Sequence, residues 1–165
     1  MRNRALRLVA GITIAVAALT AFAATNDAKN LVVVRKSASP EAGAAQRFTG
    51  KAVVESRFEG ARPSHLAAAI VSFEPGARTA WHTHPHGQML VVTAGCGWVQ
   101  QEGGERQPIR TGDIVWTPPG VKHWHGAGTQ VPMSHAAVHE RFDQQEVVWM
   151  QKVSDEEYGN ASCKV

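Results

Sequence analysis

Two short segments with a fixed glycine and proline spacing contain four residues that can bind a metal ion. The first segment begins at Gly76, reads Gly-x5-His-x-His-x3-Gln-x6-Gly, and contains His82, His84 and Gln88. The second reads Gly-x5-Pro-x-Gly-x2-His and ends at His123. In a β-strand, residues two positions apart project from the same face and lie roughly 6.5–7 Å apart along the chain. His82 and His84 can therefore approach one ion from the same side.

The glycines and prolines of both segments favour turns, which we expect to bring Gln88 and His123 to the two histidines. A single His-Thr-His tripeptide could be a chance pair on a polar strand face, but the presence of both spaced segments favours a metal centre. The predicted ligands are His82, His84, Gln88 and His123. Imidazole and oxygen ligands suit manganese, iron, nickel, cobalt or zinc. Three neutral imidazoles and one amide oxygen would leave the charge of a divalent ion uncompensated, so the ion should be a strong Lewis acid.

From residue 66 onward the chain alternates short apolar runs with turn residues, which is typical of an all-β domain. Glu102-Gly103-Gly104-Glu105 predicts a tight hairpin, and the spacing of Ser154 and Glu157 predicts a capping box at the start of one short helix. The architecture that fits is a jelly-roll barrel made of two sheets. Strands are predicted at residues 31–34, 67–73, 89–93, 98–101, 114–116 and 133–139.

The two segments have the spacing of the cupin motifs, and the chain resembles a bacterial cupin over residues 31–158. This resemblance implies the cupin double-stranded β-helix. Most metal-binding cupins carry glutamate where this chain has Gln88, and commonly asparagine where it has Ala127. The longer runs TAWHTHPHGQMLVVTAGCGWVQQEGG, GDIVWTPPGVKHWHGA and SHAAVHE resemble the manganese-dependent cupin hydroxynitrile lyases. The resemblance therefore implies Mn2+, with Fe2+, Ni2+, Co2+ or Zn2+ as alternatives.

Further histidines are expected to face the same interior as the ligands. His125 follows His123 by two residues, and His135 and His139 share one face of a later strand. In the lyases, the positions that match His125 and His135 are histidines in the metal pocket, whereas the position that matches His139 is glutamine. His135 is thus the first candidate for a catalytic base, His139 the second and His125 the third. The resemblance also implies that Thr79, Ala69 and Val71 line the substrate pocket. Ala137 is a fourth candidate, because it shares a strand face with His135 and His139.

The leading hypothesis is a metal-dependent hydroxynitrile lyase that reversibly cleaves an (R)-cyanohydrin into an aldehyde and cyanide. This chemistry needs a more acidic substrate hydroxyl, an acceptor for its proton and a positive charge near the departing cyanide. One alternative is a cupin dioxygenase that acts on a small phenolic or dicarbonyl substrate. A second alternative is a periplasmic cupin that binds a metal or small ligand without turnover.

Residues 1–23 have the features of a cleaved signal peptide: a basic start, an apolar run of about 15 residues and a small-x-small cleavage site. The run is shorter than the roughly 20 residues of a membrane-spanning helix. This interpretation predicts a periplasmic or secreted protein. Residues 24–46 are then a leader with the first strand, residues 47–160 the cupin domain, and residues 161–165 a tail.

The full chain has 17 basic and 14 acidic residues. The predicted signal peptide contains three arginines and no acidic residue, so its removal leaves 14 basic and 14 acidic residues. The near-zero net charge does not favour binding to nucleic acid or, after cleavage, to a membrane. A small-molecule substrate and a homodimer or homotetramer are expected, with residues 31–34 as a strand exchanged between subunits.

Four further residues have expected positions. Trp81 and Trp124 should pack opposite the ligand face because side chains alternate along a strand, and Arg78 should form an ion pair on the outer surface. Cys163 is expected in a loose tail, and the sequence leaves open whether it pairs with Cys96.

Overall fold

The computed structural model describes residues 30–36, 40–141, 146–160 and 163. The predicted signal peptide lies outside these residues, as does most of the predicted tail. Among the residues described, no helix has the length and apolar character needed to span a bilayer.

These residues form antiparallel strands and one short helix, which confirms the all-β prediction. The strands from the first half of the chain are β1 (Glu41–Ala42), β2 (Phe48–Thr49), β3 (Ala52–Glu59), β4 (Leu66–Phe73), β5 (Arg78–Thr79) and β6 (His82–Thr83). They are followed by β7 (Gln88–Gln101), β8 (Gln107–Arg110), β9 (Ile114–Thr117), β10 (His123–Ala127), β11 (Met133–Glu140), β12 (Val148–Trp149) and the helix α1 (Asp155–Tyr158).

The strands form two layers that share β7. One layer has the order β1-β3-β4-β11-β7-β9. The other has the order β2-β5-β10-β7-β8, and β6 pairs with both β10 and β12. The first part of β7 pairs with β11 and β9, whereas its last part pairs with β10 and β8. β7 thus joins the two layers of the double-stranded β-helix that the sequence predicts.

The prediction of two separate strands at residues 89–93 and 98–101 is wrong, because β7 continues through the glycines between them. Gly95 has a φ of 70°. A Cβ atom there would lie 1.9 Å from the carbonyl oxygen of Pro132, and one on Gly97 would lie 2.0 Å from that of Gly126. These glycines permit close contact with neighbouring backbone as β7 passes from one layer to the other, and they do not end the strand.

The strand predicted at residues 31–34 is not formed in this single chain. The run has the β-branched composition of a strand, but its side chains are exposed, and Leu31 is 88% exposed. A strand requires backbone hydrogen bonds to a neighbour, and the described part of the chain provides none for this run.

The buried residues form two apolar clusters on opposite sides of the histidine-bearing strands. One cluster lies between the layers and includes Phe73, Val92 and Met133. The other contains Trp81 and Trp124, together with residues of the C-terminal segment. The prediction that these two tryptophans pack opposite the ligand face is therefore confirmed.

The C-terminal segment packs firmly against the barrel, which corrects two expectations. The capping box at Ser154 and the short helix are present as predicted. Cys163, however, is buried and forms a disulfide with Cys96. Arg78 does pair with Asp155, but Arg78 itself is buried, and its guanidinium lies 4.5 Å from the centroid of the Tyr158 ring. The prediction of a loose tail is wrong at Cys163, because its partner Cys96 is distant in the sequence and a local reading does not include it.

Candidate metal centre

Two of the predicted ligands lie directly opposite each other. His82 begins β6 and His123 begins β10, and the two residues are register partners in this antiparallel pair. Their ring centroids are 4.2 Å apart, and both side chains are buried. Strand pairing therefore places two imidazoles from distant parts of the sequence against each other.

Backbone carbonyl groups orient both rings in the same way. The Nδ1 of His82 donates to the carbonyl oxygen of Ala80 at 2.9 Å, and the Nδ1 of His123 donates to that of Val121 at 3.0 Å. A carbonyl oxygen only accepts hydrogen bonds, so each neutral ring carries its proton on Nδ1. Nε2 then has a free lone pair, and fixing the tautomer through the other nitrogen is the usual way in which proteins orient metal-binding histidines.

Gln88 presents its amide oxygen to the same place. It begins β7, and its Oε1 lies 3.1 Å from the Nε2 of His123. In the tautomer described, both atoms are acceptors, and two facing lone pairs are stabilised by a cation that both can bind. This pair fits a metal ion better than it fits a hydrogen bond.

His84 is the fourth predicted ligand and lies beside the other three. Its ring centroid is 5.3 Å from that of His82 and 5.9 Å from that of His123. Both of its ring nitrogens are buried, and neither makes a hydrogen bond of ordinary geometry to the described residues, although the nearby backbone of Glu146 acts to raise its pKa. A buried polar atom without a partner is costly, and coordination of an ion would satisfy one of these nitrogens. The donor set therefore fits a divalent metal.

His125 lies closer to the first two ligands than the sequence indicates. One ring nitrogen from each of His82, His123 and His125 lies within 4.8 Å of the other two, whereas His84 does not belong to this group. The Nδ1 of His125 is 3.1 Å from the Nε2 of His135, and its Nε2 is buried without a partner among the described residues. Three clustered histidines in this fold indicate a metal centre.

Burial keeps these histidines neutral. It is the largest cause of a lowered pKa for each one, and it brings the pKa of His84 to about 3 and that of His135 to about 4. The pKa values of His82 and His125 are well below their ordinary value, with neighbouring imidazoles as a further cause, and that of His123 is also lowered. Neutral imidazoles keep their lone pairs and do not repel a cation.

A cavity of about 110 Å³ lies next to this cluster. β11 lies between β4 and β7. His135 and Ala137 on β11 are in register with Val71 and Ala69 on β4, and His139 is in register with Gln88 on β7. The structure places every residue predicted for the substrate pocket or for catalysis on the wall of this cavity: Thr79, Ala69, Val71, Ala137, His125, His135 and His139. His84 and Gln88 line it too, whereas His82 and His123 do not.

The structure adds wall residues that the sequence does not predict as site residues, although Trp149 is one of five tryptophans that could stack on an aromatic substrate. Trp149 lies 4.8 Å from the ring of His82 and faces it across β12 and β6. Phe48, Arg47 and Glu146 also line the cavity. Glu146 and Trp149 follow the second motif by more than twenty residues and belong to no spaced pattern. The sequence contains no local signal that would have identified them.

Comparison with known proteins agrees with this architecture. Residues 69–139 match the cupin domain family. The chain is 54% identical over 116 residues to an (R)-mandelonitrile lyase from Granulicella tundricola. The aligned region covers 70% of this chain and 88% of the relative.

Solved structures show the same fold. A cupin-like protein from Thermotoga maritima superposes with a TM-score of 0.67 and 36% identity, over 72% of this chain and 90% of that chain. A cupin 2 conserved barrel domain protein from Rhodopseudomonas palustris has a TM-score of 0.55 and 16% identity, over 65% of this chain and 72% of that chain, and shows the fold alone. A β-barrel of this topology, both histidine motifs and these relatives together show that the chain belongs to the cupin family.

Proposed function

We propose that the protein is a metal-dependent hydroxynitrile lyase, which reversibly cleaves an (R)-cyanohydrin such as mandelonitrile into an aldehyde and cyanide. The observation that carries this proposal is the ligand set. A neutral amide, Gln88, faces His123 at 3.1 Å among neutral imidazoles, in a chain that is 54% identical to an (R)-mandelonitrile lyase. With no carboxylate in the set, the full charge of a divalent ion remains available to act on substrate.

His82, His84, Gln88 and His123 are the proposed ligands, and Mn2+ is the proposed ion. His125 contacts the same cluster from the cavity side. When bound, a divalent ion acts as a Lewis acid and makes a nearby substrate hydroxyl more acidic.

The protein's own histidines supply the proton transfer. His135 and His139 line the cavity, and each has an Nδ1 atom that is buried without a partner among the described residues. Such a nitrogen can accept the proton of the cyanohydrin hydroxyl. The protonated ring is then a cation that offsets the negative charge of the departing cyanide. The same ring can give the proton to cyanide.

The shape of the cavity supports a substrate with a compact aryl or alkyl group. Ala69, Val71 and Ala137 form its apolar wall on β4 and β11. Thr79 is fixed on the other layer, because its Oγ1 accepts a hydrogen bond of 3.2 Å from the backbone N–H of His125. Small side chains at these positions leave room beside the histidines.

The test is cyanide release from racemic mandelonitrile by protein that is metal-free or loaded with Mn2+ or Zn2+, with the remaining enantiomer identified by chiral chromatography. We expect metal-dependent release of cyanide and consumption of the (R) form. Oxygen uptake on a phenolic or dicarbonyl substrate without cyanide release would instead favour the dioxygenase. Retention of metal with neither activity would favour a metal-binding protein.

We propose, in addition, that the protein is exported and acts on its small-molecule substrate as a homodimer or homotetramer. The disulfide between Cys96 and Cys163 supports export, because disulfides persist in oxidising compartments. The exposed apolar run at residues 31–34 supports pairing with a second copy. N-terminal sequencing of the periplasmic fraction tests the first point. Light scattering with and without residues 24–36 tests the second.

A further inference from the structure

His139 is the second of the two histidines on β11, after His135. It lies near the end of β11, in register with Gln88 on β7, and its ring centroid is 5.0 Å from that of His84. The side chain is 12% exposed, and it lines the cavity. Its Nδ1 is buried without a hydrogen-bond partner among the described residues.

A carboxylate holds the other nitrogen of this ring. The Nε2 of His139 lies 3.3 Å from the Oε2 of Glu146. The second oxygen of Glu146 contacts the Nε of Arg141, and Arg141 also forms an ion pair with Glu59. Glu146 is therefore held between a histidine and a guanidinium group, and each of them contacts a different carboxylate oxygen.

This contact determines which nitrogen of His139 can accept a proton. An ionised carboxylate only accepts hydrogen bonds, so Nε2 must carry the ring proton and Nδ1 the lone pair. The lone pair is then on Nδ1, in a ring that lines the cavity. His135 has no such partner: its Nε2 faces another imidazole, that of His125, at 3.1 Å. A pair of neutral imidazoles can share its proton in either direction, so neither tautomer is imposed.

We propose that His139 accepts the proton of the substrate hydroxyl, and that Glu146 is a positioning residue that holds His139 in the required tautomer and orientation. This inference rests on the proposed function, and it reverses the order of the two candidate bases that the sequence suggests. The hydroxyl proton moves to Nδ1 of His139, the oxygen lone pair forms the C=O bond, and the bond to the nitrile carbon breaks. The electron pair of that bond leaves with cyanide, which takes the proton from Nδ1 and departs as hydrogen cyanide.

The kinetic test compares Glu146→Ala, Glu146→Gln and Glu146→Asp with the control Glu140→Gln. Glu140 is an exposed carboxylate that directly follows His139 on β11. Glu146→Ala should lower kcat for mandelonitrile by about 10–100-fold, as is usual when the group that orients a working histidine is removed. Its metal content should stay unchanged and its KM should change little. Glu146→Asp should restore part of kcat, and Glu140→Gln should match the wild type. A loss of metal in parallel with kcat, or full kcat in Glu146→Ala and Glu146→Gln, would overturn the proposal.

A spectroscopic test is independent of turnover. Long-range 1H–15N spectra of the full chain loaded with diamagnetic Zn2+, at mildly alkaline pH, report which nitrogen of each histidine carries the proton. The signals of His139 are those lost in His139→Gln. The wild type should show the proton on Nε2, and Glu146→Ala should show a mixture of tautomers. An unchanged tautomer in Glu146→Ala would overturn the inference. A fixed tautomer that relaxes in the variant, in a protein that releases no cyanide, would support the positioning role and refute the lyase function.

Discussion

The Nε2 of His135 lies 3.1 Å from the Nδ1 of His125, and both rings are buried beneath Phe73. This contact links β11 to β10 and so connects the cavity wall to the strand that begins with His123. Burial of both rings disfavours a positive charge on either one and lowers the pKa of each. The consequences for stability and for catalysis can be measured separately.

Metal-free protein should lose unfolding free energy as the pH falls from about 6.5, the ordinary histidine value, toward the pKa of about 4 that burial gives His135. In this window the unfolded chain binds protons that the buried ring does not, so acid favours unfolding, whereas stability is fully retained above the window. Urea denaturation at several pH values measures this effect. His135→Met should flatten the pH dependence. An equal slope in the variant would show that other groups cause it.

His84→Ala should remove bound metal and lyase activity together, because both ring nitrogens of His84 are buried beside the cluster without a hydrogen bond of ordinary geometry to the described residues. The matched control is His86→Ala, an exposed histidine two residues further along the same loop. Metal analysis after exhaustive dialysis measures the outcome. A His84→Ala protein with a full metal complement would exclude this residue from the ligand set and favour His125 in its place.

Gln88→Glu should keep the metal bound at least as tightly but lower cyanide release. The added carboxylate cancels one unit of the ion's charge, so the substrate hydroxyl becomes less acidic. Metal titration and steady-state kinetics on mandelonitrile measure the two effects. Unchanged or faster cyanide release in this variant would show that the amide does not tune the reaction.

Ala137→Leu should lower kcat/KM for mandelonitrile at least tenfold, with a smaller effect on acetone cyanohydrin. Ala137 is 7% exposed and lies on the cavity wall between His135 and His139, where a larger side chain would take the place of an aryl group. Overfilling such a site typically costs about 1–3 kcal/mol. Ala136→Leu places the same substitution on the opposite face of β11 and is the control. Equal losses for both substrates would argue for a general disturbance of the barrel.

Cys163→Ser should lower the free energy of unfolding by about 2–4 kcal/mol, because the disulfide closes a large loop in the unfolded chain. The sequence separation between Cys96 and Cys163 is 67 residues. The segment that precedes Cys163 contains Trp149, which packs on His82, so metal should also be lost more readily to a chelator. Comparison of oxidised wild type, reduced wild type and the variant measures both effects. Equal metal loss rates in all three would show that the C-terminal segment does not support the metal site.

The sequence by itself determined the barrel and brought the four predicted ligands into one neighbourhood. Alternation along a strand places the side chains of His82, His123 and His125 opposite those of Trp81 and Trp124. Glycine spacing sets the turns, so local patterns are sufficient for both. It did not determine that β7 runs unbroken between the layers, because a glycine that permits close packing and one that ends a strand look alike in sequence.

Tertiary structure alone decided the finer contacts. His125 meets His135, Glu146 meets His139, and Cys96 bonds to Cys163 because the curvature of the two layers brings together residues whose positions follow no shared period. The run at residues 31–34 also shows that local composition is not sufficient to predict a strand. Its composition favours a strand, but a strand exists only where another one is available to pair with it.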